Sequence, residues 1–378
     1  MSTPPPDGQD ELTRSGEYTW GAGSFYEFRL LAYCIDRVVR KIDPNYFDFE
    51  TESSGEFEYA KNKSVFVLCS GCTAFTYKDH PYIWTSDSKA SCHTIKSNGP
   101  LAPLIKMIDN YIRSKNPLRN KNLLIYQSNG HFECLFNENP GITFDQCIVE
   151  PGIKEEVYDN TILQLKTMDM NNGIILHGEP GTGKSRLCQA VITEAIREGF
   201  TACCVTTSLH YGLFGRFVAK YLAPCVVVFE DIDSFANSRK EGVNPELADF
   251  LQLMSGISQQ DGKTIFIATT NHLDLIDKAV SNRPMRFNRK LLIGVPSNDG
   301  VDQLIDLYFG NNTVSPALKI ECHGCKFTGS HIKEIFRTAS LESQKNHKPP
   351  VENFEYALAI VKKNFSTPSV VVGFGQKS

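Results

Sequence analysis

The chain has 378 residues, enough for two or three folded units. Its 41% hydrophobic and 22% charged residues match an ordinary globular protein and exclude wholesale disorder, a collagen-like fibre and a coiled-coil rod. A formal charge of -4 and a pI near 6.2 leave no global positive field that would draw nucleic acid or an anionic membrane.

Residues 1–22 are rich in Pro, Gly, Ser and acids, and read as a disordered tail. The start of the chain has neither a basic n-region nor an apolar h-region, and no apolar run approaches the ~20 residues of a membrane helix. The expectation is a soluble cytoplasmic protein with no membrane span. From Phe25 to Ile42 the residues Phe28, Leu31, Ala32, Ile35, Val38 and Val39 share one helical face, and Asp43-Pro44 stops the helix. Alternation over Phe57–Phe75 predicts a strand or hairpin, and Leu101–Arg113 a second helix. Leu123–Gln127 and His131–Phe136 read as short strands joined at an Asn129-Gly130 turn. Residues 23–140 are therefore expected to form an α+β N-terminal domain. It carries no motif of its own, and its role, client or adaptor binding, is unassigned.

Beyond Pro140 strand-like runs alternate with helical stretches: Gly173–Leu176, Thr201–Val205, Cys225–Phe229, Thr264–Ala268 and Leu291–Gly294. That alternation predicts a parallel sheet covered by helices over residues 141–298. Only helical patterns remain over 299–365, and 366–378 reads as a C-terminal tail whose apolar segment, Val370–Gly375, either docks on a neighbouring subunit or partner or is disordered. The twelve cysteines read as free thiols acting as small hydrophobes. Two CxxC pairs, Cys69/Cys72 and Cys322/Cys325, lie too far apart in sequence for ordinary zinc-finger spacing.

Chemistry enters at Gly178-Glu179-Pro180-Gly181-Thr182-Gly183-Lys184-Ser185, a full GxxxxGK[ST] match followed by Arg186. An apolar run precedes it, and a helix with Leu187, Val191 and Ala195 on one face follows, with Gly199 placed as its stop. Glycines let backbone N–H groups curl around phosphate oxygens, and the helix N-terminus adds favourable partial charge. Lys184 would reach the β- and γ-phosphates of ATP and the Ser185 hydroxyl would ligate Mg2+. The apolar run Val226–Phe229 then ends in Glu230-Asp231-Ile232-Asp233, carboxylates where such a protein holds its metal shell and activates water.

With these residues the sequence resembles the AAA family of ring-forming ATPases, and the resemblance covers residues 141–365, about three-fifths of the chain. It implies an α/β fold with a P-loop NTPase core and parallel sheet, a C-terminal all-α lid, and the α+β N-terminal domain outside it. Thr264–Ala268 followed by Thr269-Thr270-Asn271 is similar to the strand that carries the sensor asparagine, so Asn271 would sense the γ-phosphate or orient water. Asn282-Arg283-Pro284-Met285-Arg286-Phe287-Asn288-Arg289 is similar to the segment bearing the family's arginine fingers, with Asn288 in place of the usual Asp. Arg286 and Arg289 would then serve the neighbouring subunit's nucleotide, where guanidinium groups stabilise charge on a transferring phosphoryl group. Gly329 in Phe327–Ile335 would lie near the adenine and ribose, and Ser330 stands where many members have Ala.

Two departures stand out. Glu230 precedes Asp231, whereas most members carry Asp then Glu; the same inversion occurs in the branch that includes the mitochondrial translocase of folded Rieske protein. By position Glu230 joins Ser185 in the metal shell and Asp231 activates water. Tyr211-Gly212-Leu213-Phe214-Gly215 occupies the region of the family's pore loop, and reads either as a polypeptide-gripping aromatic motif or as a core-facing helix.

The resemblance implies a Mg-dependent ATPase acting as a homo-oligomeric ring, a hexamer, that unfolds, remodels or disassembles an unidentified protein client. Two other readings remain at this stage: a nucleic-acid machine of the clamp- or helicase-loader type, disfavoured by the acidic pI, and a slowly hydrolysing assembly scaffold, suggested by the swapped acids and Asn288.

Overall fold

The computed structural model describes residues 11–12, 16–44, 47–128, 131–168, 171–206, 211–235, 263–274 and 289–366. The Asn129-Gly130 turn, the segment holding Arg286 and the apolar C-terminal tail lie outside the described residues.

Two sheets organise the chain. The first has strand order β1-β2-β6-β5-β4-β3 and is antiparallel throughout. Its strands are β1 (Glu11–Leu12), β2 (Glu17–Gly21), β3 (Phe47–Ala60), β4 (Lys63–Tyr77), β5 (His80–Asp87) and β6 (Cys92–Ser97). Helices α1 (Phe25–Ile42) and α2 (Leu101–Lys115) pack with it, burying Trp20, Tyr82 and Trp84. Trp20 is fully buried and its indole N–H donates to Asp109 Oδ1 of α2 at 3.0 Å. The tail expected over residues 1–22 is thus corrected: Glu17–Gly21 is a paired strand, because Tyr18 and Trp20 supply an apolar face that local Gly and acid content concealed.

The second sheet runs β13-β9-β12-β11-β10-β7-β8. It comprises β7 (Asn122–Ser128), β8 (His131–Asn137), β9 (Asn172–His177), β10 (Thr201–Val205), β11 (Cys225–Phe229), β12 (Thr264–Thr270) and β13 (Arg289–Leu292). All neighbours are parallel except the β7–β8 hairpin. β11 and β12 are buried at every position, as strands covered on both faces require. Their side chains alternate between two cores. Ile174, Val226, Val228, Ile265 and Ile267 meet α5 (Lys184–Arg197) through Leu187, Val191 and Ala195. Ile175, Val227, Phe229 and Phe266 face a larger core that continues through α6 (Tyr211–Phe217) into α1 and α2.

That continuity corrects the domain boundary expected at 140/141. The β7–β8 hairpin belongs to the second sheet, where Leu123 to Ile125 pair in parallel register with Cys203 to Val205. Asn116 Nδ2 donates to Tyr221 O at 2.9 Å and Arg119 Nη1 to Leu222 O at 3.0 Å, fastening the end of α2 to the segment after α6. Tyr211 and Phe214 are buried against Phe229, so this stretch is a core-facing helix and its aromatics are not displayed for gripping a polypeptide.

Before β9, α3 (Ile153–Tyr158), a π turn and α4 (Gln164–Thr167) make one helical arm. After β13 come α7 (Asn298–Phe309), α8 (Pro316–His323), α9 (Gly329–Asn346) and α10 (Phe354–Ser366), closed around Leu304, Ile305, Phe327, Ile335, Phe354 and Leu358. Side-chain caps start α7 and α8, with Ser297 accepting from Gly300 N and Ser315 from Leu318 N. Among the described residues no helix is long and apolar enough to cross a membrane.

Candidate nucleotide site

Because β9, β11 and β12 are parallel neighbours, the turns after them emerge at one edge of the sheet: the glycine loop after β9, the acidic turn after β11, and Asn271 after β12. Ligands of open α/β sheets bind in that crevice. A cleft of about 430 Å3 opens there, within the range of small-molecule sites. It runs from Lys184, Ser185, Asp231 and Asn271 to an apolar end made by Ile148, Val149, Leu304 and Tyr308.

The glycine loop is held by its own geometry. Gly178 has φ +146°, and a Cβ there would sit 2.2 Å from Ile293 O. Gly181 has φ +79°, and a Cβ would meet Ser330 Oγ at 2.4 Å and Thr328 Oγ1 at 2.9 Å. The helical unit therefore touches the loop directly, and Ser330 N donates to Gly181 O at 3.2 Å. Gly329 opens α9 beside that contact and lines the cleft. Glu179 and Pro180 are exposed, and the Thr182 hydroxyl donates back to Glu179 O at 3.0 Å. Gly183 precedes α5, and Arg186 Nε donates to Gln146 O at 2.9 Å while also lining the cleft.

Lys184 is 5% exposed. Its ammonium donates to Gly178 O at 2.8 Å, Glu179 O at 2.9 Å and Asn271 Oδ1 at 2.8 Å, using all three protons. Burial lowers its pKa from the ordinary lysine value, and the charges of Asp231 and Asp233 oppose that shift. Ser185 Oγ donates to Glu230 Oε2 at 3.3 Å. Glu230 is an exposed residue, yet surrounding protein desolvates its carboxylate and raises its pKa; the Ser185 hydroxyl opposes the rise and nearby Asp231 adds to it.

Asp231 adopts the left-handed region at φ +50°, and its N–H donates to Thr269 Oγ1 at 2.9 Å. Two residues on, Asp233 Oδ1 accepts from Thr270 Oγ1 at 2.8 Å and from Asn271 N at 3.1 Å. Of the two arginines, Arg289 is exposed at the start of β13, opposite Ile174 and outside the cleft lining, and Arg286 lies outside the described residues. The structure thus brings together Lys184, Ser185, Glu230, Asp231, Asn271 and Gly329, and leaves Arg289 apart. Sequence reading missed Thr269, Thr270 and Asp233 as supports, and Ile148, Val149, Leu304 and Tyr308 as the apolar end. The Asp after an E-D-x pattern was visible; its partners, 37 residues away, were not.

The sequence pattern described as "AAA: ATPase family associated with various cellular activities (AAA)" matches residues 174–295, the stretch from β9 past β13. Over that stretch the chain is similar to the AAA ATPases. Protein CdcH of Halobacterium salinarum is 29% identical over 208 residues, covering 50% of this chain and 27% of CdcH. The rice ATP-dependent zinc metalloprotease FTSH 9, chloroplastic/mitochondrial, is 30% identical over 219 residues, covering 54% of this chain and 27% of the relative. The FtsH of Heterosigma akashiwo is 28% identical over 249 residues, with 58% and 36% covered. The chain spans between 27% and 36% of the length of these curated relatives. A solved chain from work on katanin self-assembly superposes with a TM-score of 0.44 at 18% identity, covering 59% of this chain and 90% of that one. The protease in the FtsH name is said of those proteins, and among the described residues no group of three His, Cys, Asp or Glu could hold a metal ion. All four CxxC thiols are free, Cys69 and Cys72 in β4, Cys322 and Cys325 in and just after α8.

Proposed function

We propose that the chain is an ATP-hydrolysing motor that works as a homo-oligomeric ring, a hexamer, and couples hydrolysis to unfolding, remodelling or disassembling a protein partner. The observation that carries the reading is the buried Lys184 ammonium, 2.8 Å from Asn271 Oδ1, in a cleft of nucleotide size roofed by Gly329.

Backbone N–H groups of Gly181–Ser185 and the N-terminus of α5 would cradle the phosphates. Lys184 would exchange its two carbonyl partners for β- and γ-phosphate oxygens. The donor set fits Mg2+: Ser185 Oγ and Glu230 Oε2 are hard oxygens 3.3 Å apart on neighbouring elements. When bound, the ion neutralises charge on the phosphate oxygens. Asp231, which lines the cleft, orients the attacking water and accepts its proton. Asn271 reads the γ-phosphate, and Ile148, Val149, Leu304 and Tyr308 seat the base. The Glu230-Asp231 order is that of the Rieske-translocase branch, which supports an active site. Arg286 and Arg289, the latter exposed and away from its own cleft, serve the next subunit.

Subunit mixing tests this. Arg286→Ala alone is expected to lose at least ~100-fold in turnover with nucleotide affinity within about 3-fold of wild type. Mixed with Lys184→Ala subunits, which still supply arginines, it should regain activity that neither variant has alone. Full activity of Arg286→Ala by itself would end the finger assignment.

A further inference from the structure

Asp231 and Asn271 line the cleft, whereas the groups that hold them lie behind it: Thr269 is 1% exposed, Thr270 0% and Asp233 8%. A carboxylate so enclosed persists only where donors satisfy it. Asp233 Oδ1 receives two, the Thr270 hydroxyl at 2.8 Å and the Asn271 N–H at 3.1 Å. The Thr270 oxygen also accepts from His272 N at 3.0 Å, so its single proton is committed to Asp233. The chain leaving β12 is thereby fixed at three successive residues. From that anchored backbone Asn271 sends its side-chain oxygen to Lys184 Nζ at 2.8 Å. Thr269 does the matching task across the strands by accepting from Asp231 N at 2.9 Å.

We infer that Asp233 is a positioning residue for ATP hydrolysis: through Thr270 and the Asn271 backbone it aims the Asn271 amide at Lys184 and the phosphate end of the cleft. The inference rests on the ATPase reading of this site. Asp233 acts by accepting hydrogen bonds, and its negative charge is secondary, so Asn at the same position keeps the function. A direct role in metal or water binding would instead need the charge and would not need Asn271.

The test is steady-state ATPase kinetics and fluorescent-nucleotide binding on the full chain, for wild type, Asp233→Ala, Asp233→Asn, Asn271→Ala, the Asp233→Ala/Asn271→Ala pair and Lys184→Ala. Asp233→Ala is expected to lower kcat about 10-fold or more, with KM and nucleotide affinity within about 3-fold. Asp233→Asn should stay within about 3-fold of wild type, and the double variant should be no slower than Asn271→Ala alone, since the effects share one path. Should Asp233→Ala fail to fold, Thr270→Val asks the same question with the carboxylate retained. An unaltered kcat, an Asn variant as slow as the Ala variant, or losses that multiply in the double variant each overturn the inference while leaving the ATPase reading intact. Lys184→Ala hydrolysing at the wild-type rate, or a wild type with no turnover, overturns the ATPase reading and the inference with it.

Discussion

Gly181 lies where the phosphate loop meets the helical unit, and two constraints act on it at once. Its φ of +79° disfavours any L side chain, and the space a Cβ would fill holds Ser330 Oγ, Ser330 Cβ and Thr328 Oγ1. Left-handed backbone costs about 1–2 kcal/mol at a non-glycine residue, and the overlap adds to it. Gly199 offers a control, with φ +81° and nothing within 4 Å of its missing Cβ. Gly181→Ala is expected to weaken nucleotide binding about 10-fold or more, because the loop and α9 can no longer close on each other. Gly199→Ala should lower the melting temperature and leave affinity within about 2-fold. Equal affinity losses in the two variants would show that backbone strain alone matters at Gly181. The loop itself was legible because its chemistry is written in consecutive residues. The clasp of Asp233 on Thr270 was not, since it joins strand ends 37 residues apart and depends on β11 lying beside β12.

At the scale of elements, His93 joins α1 to the first sheet. Its Nε2–H donates to Phe28 O at 2.9 Å, its Nδ1 accepts from Trp84 Nε1 at 3.4 Å, and its ring stacks on Phe28 with centroids 4.2 Å apart. Complete burial pushes its pKa down to about 4, the Phe28 carbonyl opposing. The folded state therefore holds His93 neutral where the unfolded chain, with an ordinary value of 6.5, takes up a proton. Stability from this residue is complete above pH 6.5 and is lost as pH falls toward 4, about 3 kcal/mol over that window. Urea unfolding at stepped pH should show the decline, and His93→Gln should flatten that part of the profile whatever its stability at neutral pH. An unchanged slope in the variant would assign the acid sensitivity elsewhere. Helices α1 and α2 and most core strands could be read from periodicity. Strands β2, β5 and β6 could not, because short runs with Pro, Ser and charge acquire their faces only from the sheet they join. The β7–β8 alternation predicted a hairpin, but its parallel partner β10 comes some 80 residues later and local pattern does not reveal which sheet it extends.

On the scale of the whole molecule, the first sheet and one face of the second sheet share a single interior. A single run of buried residues extends from Trp20 through Phe28, Ile108 and Leu123 to Phe217, Phe229 and Phe266. A chain cut to begin at residue 141 would bare Phe214, Phe217 and Tyr221, each at 2% exposure or less in the intact protein. Such a fragment is expected in the insoluble fraction and the intact chain, made in the same way, in the soluble one; a soluble, cooperatively melting fragment would restore the boundary at 140/141. The proposed function depends on the cleft being a working ATPase site. The most direct measurement is phosphate release from ATP and Mg2+ by the full-length wild type beside Lys184→Ala, both shown folded by their melting curves. Steady turnover by wild type and a loss of at least ~100-fold in the variant are expected; equal rates in the two proteins, or no turnover by wild type, would contradict the ATPase assignment.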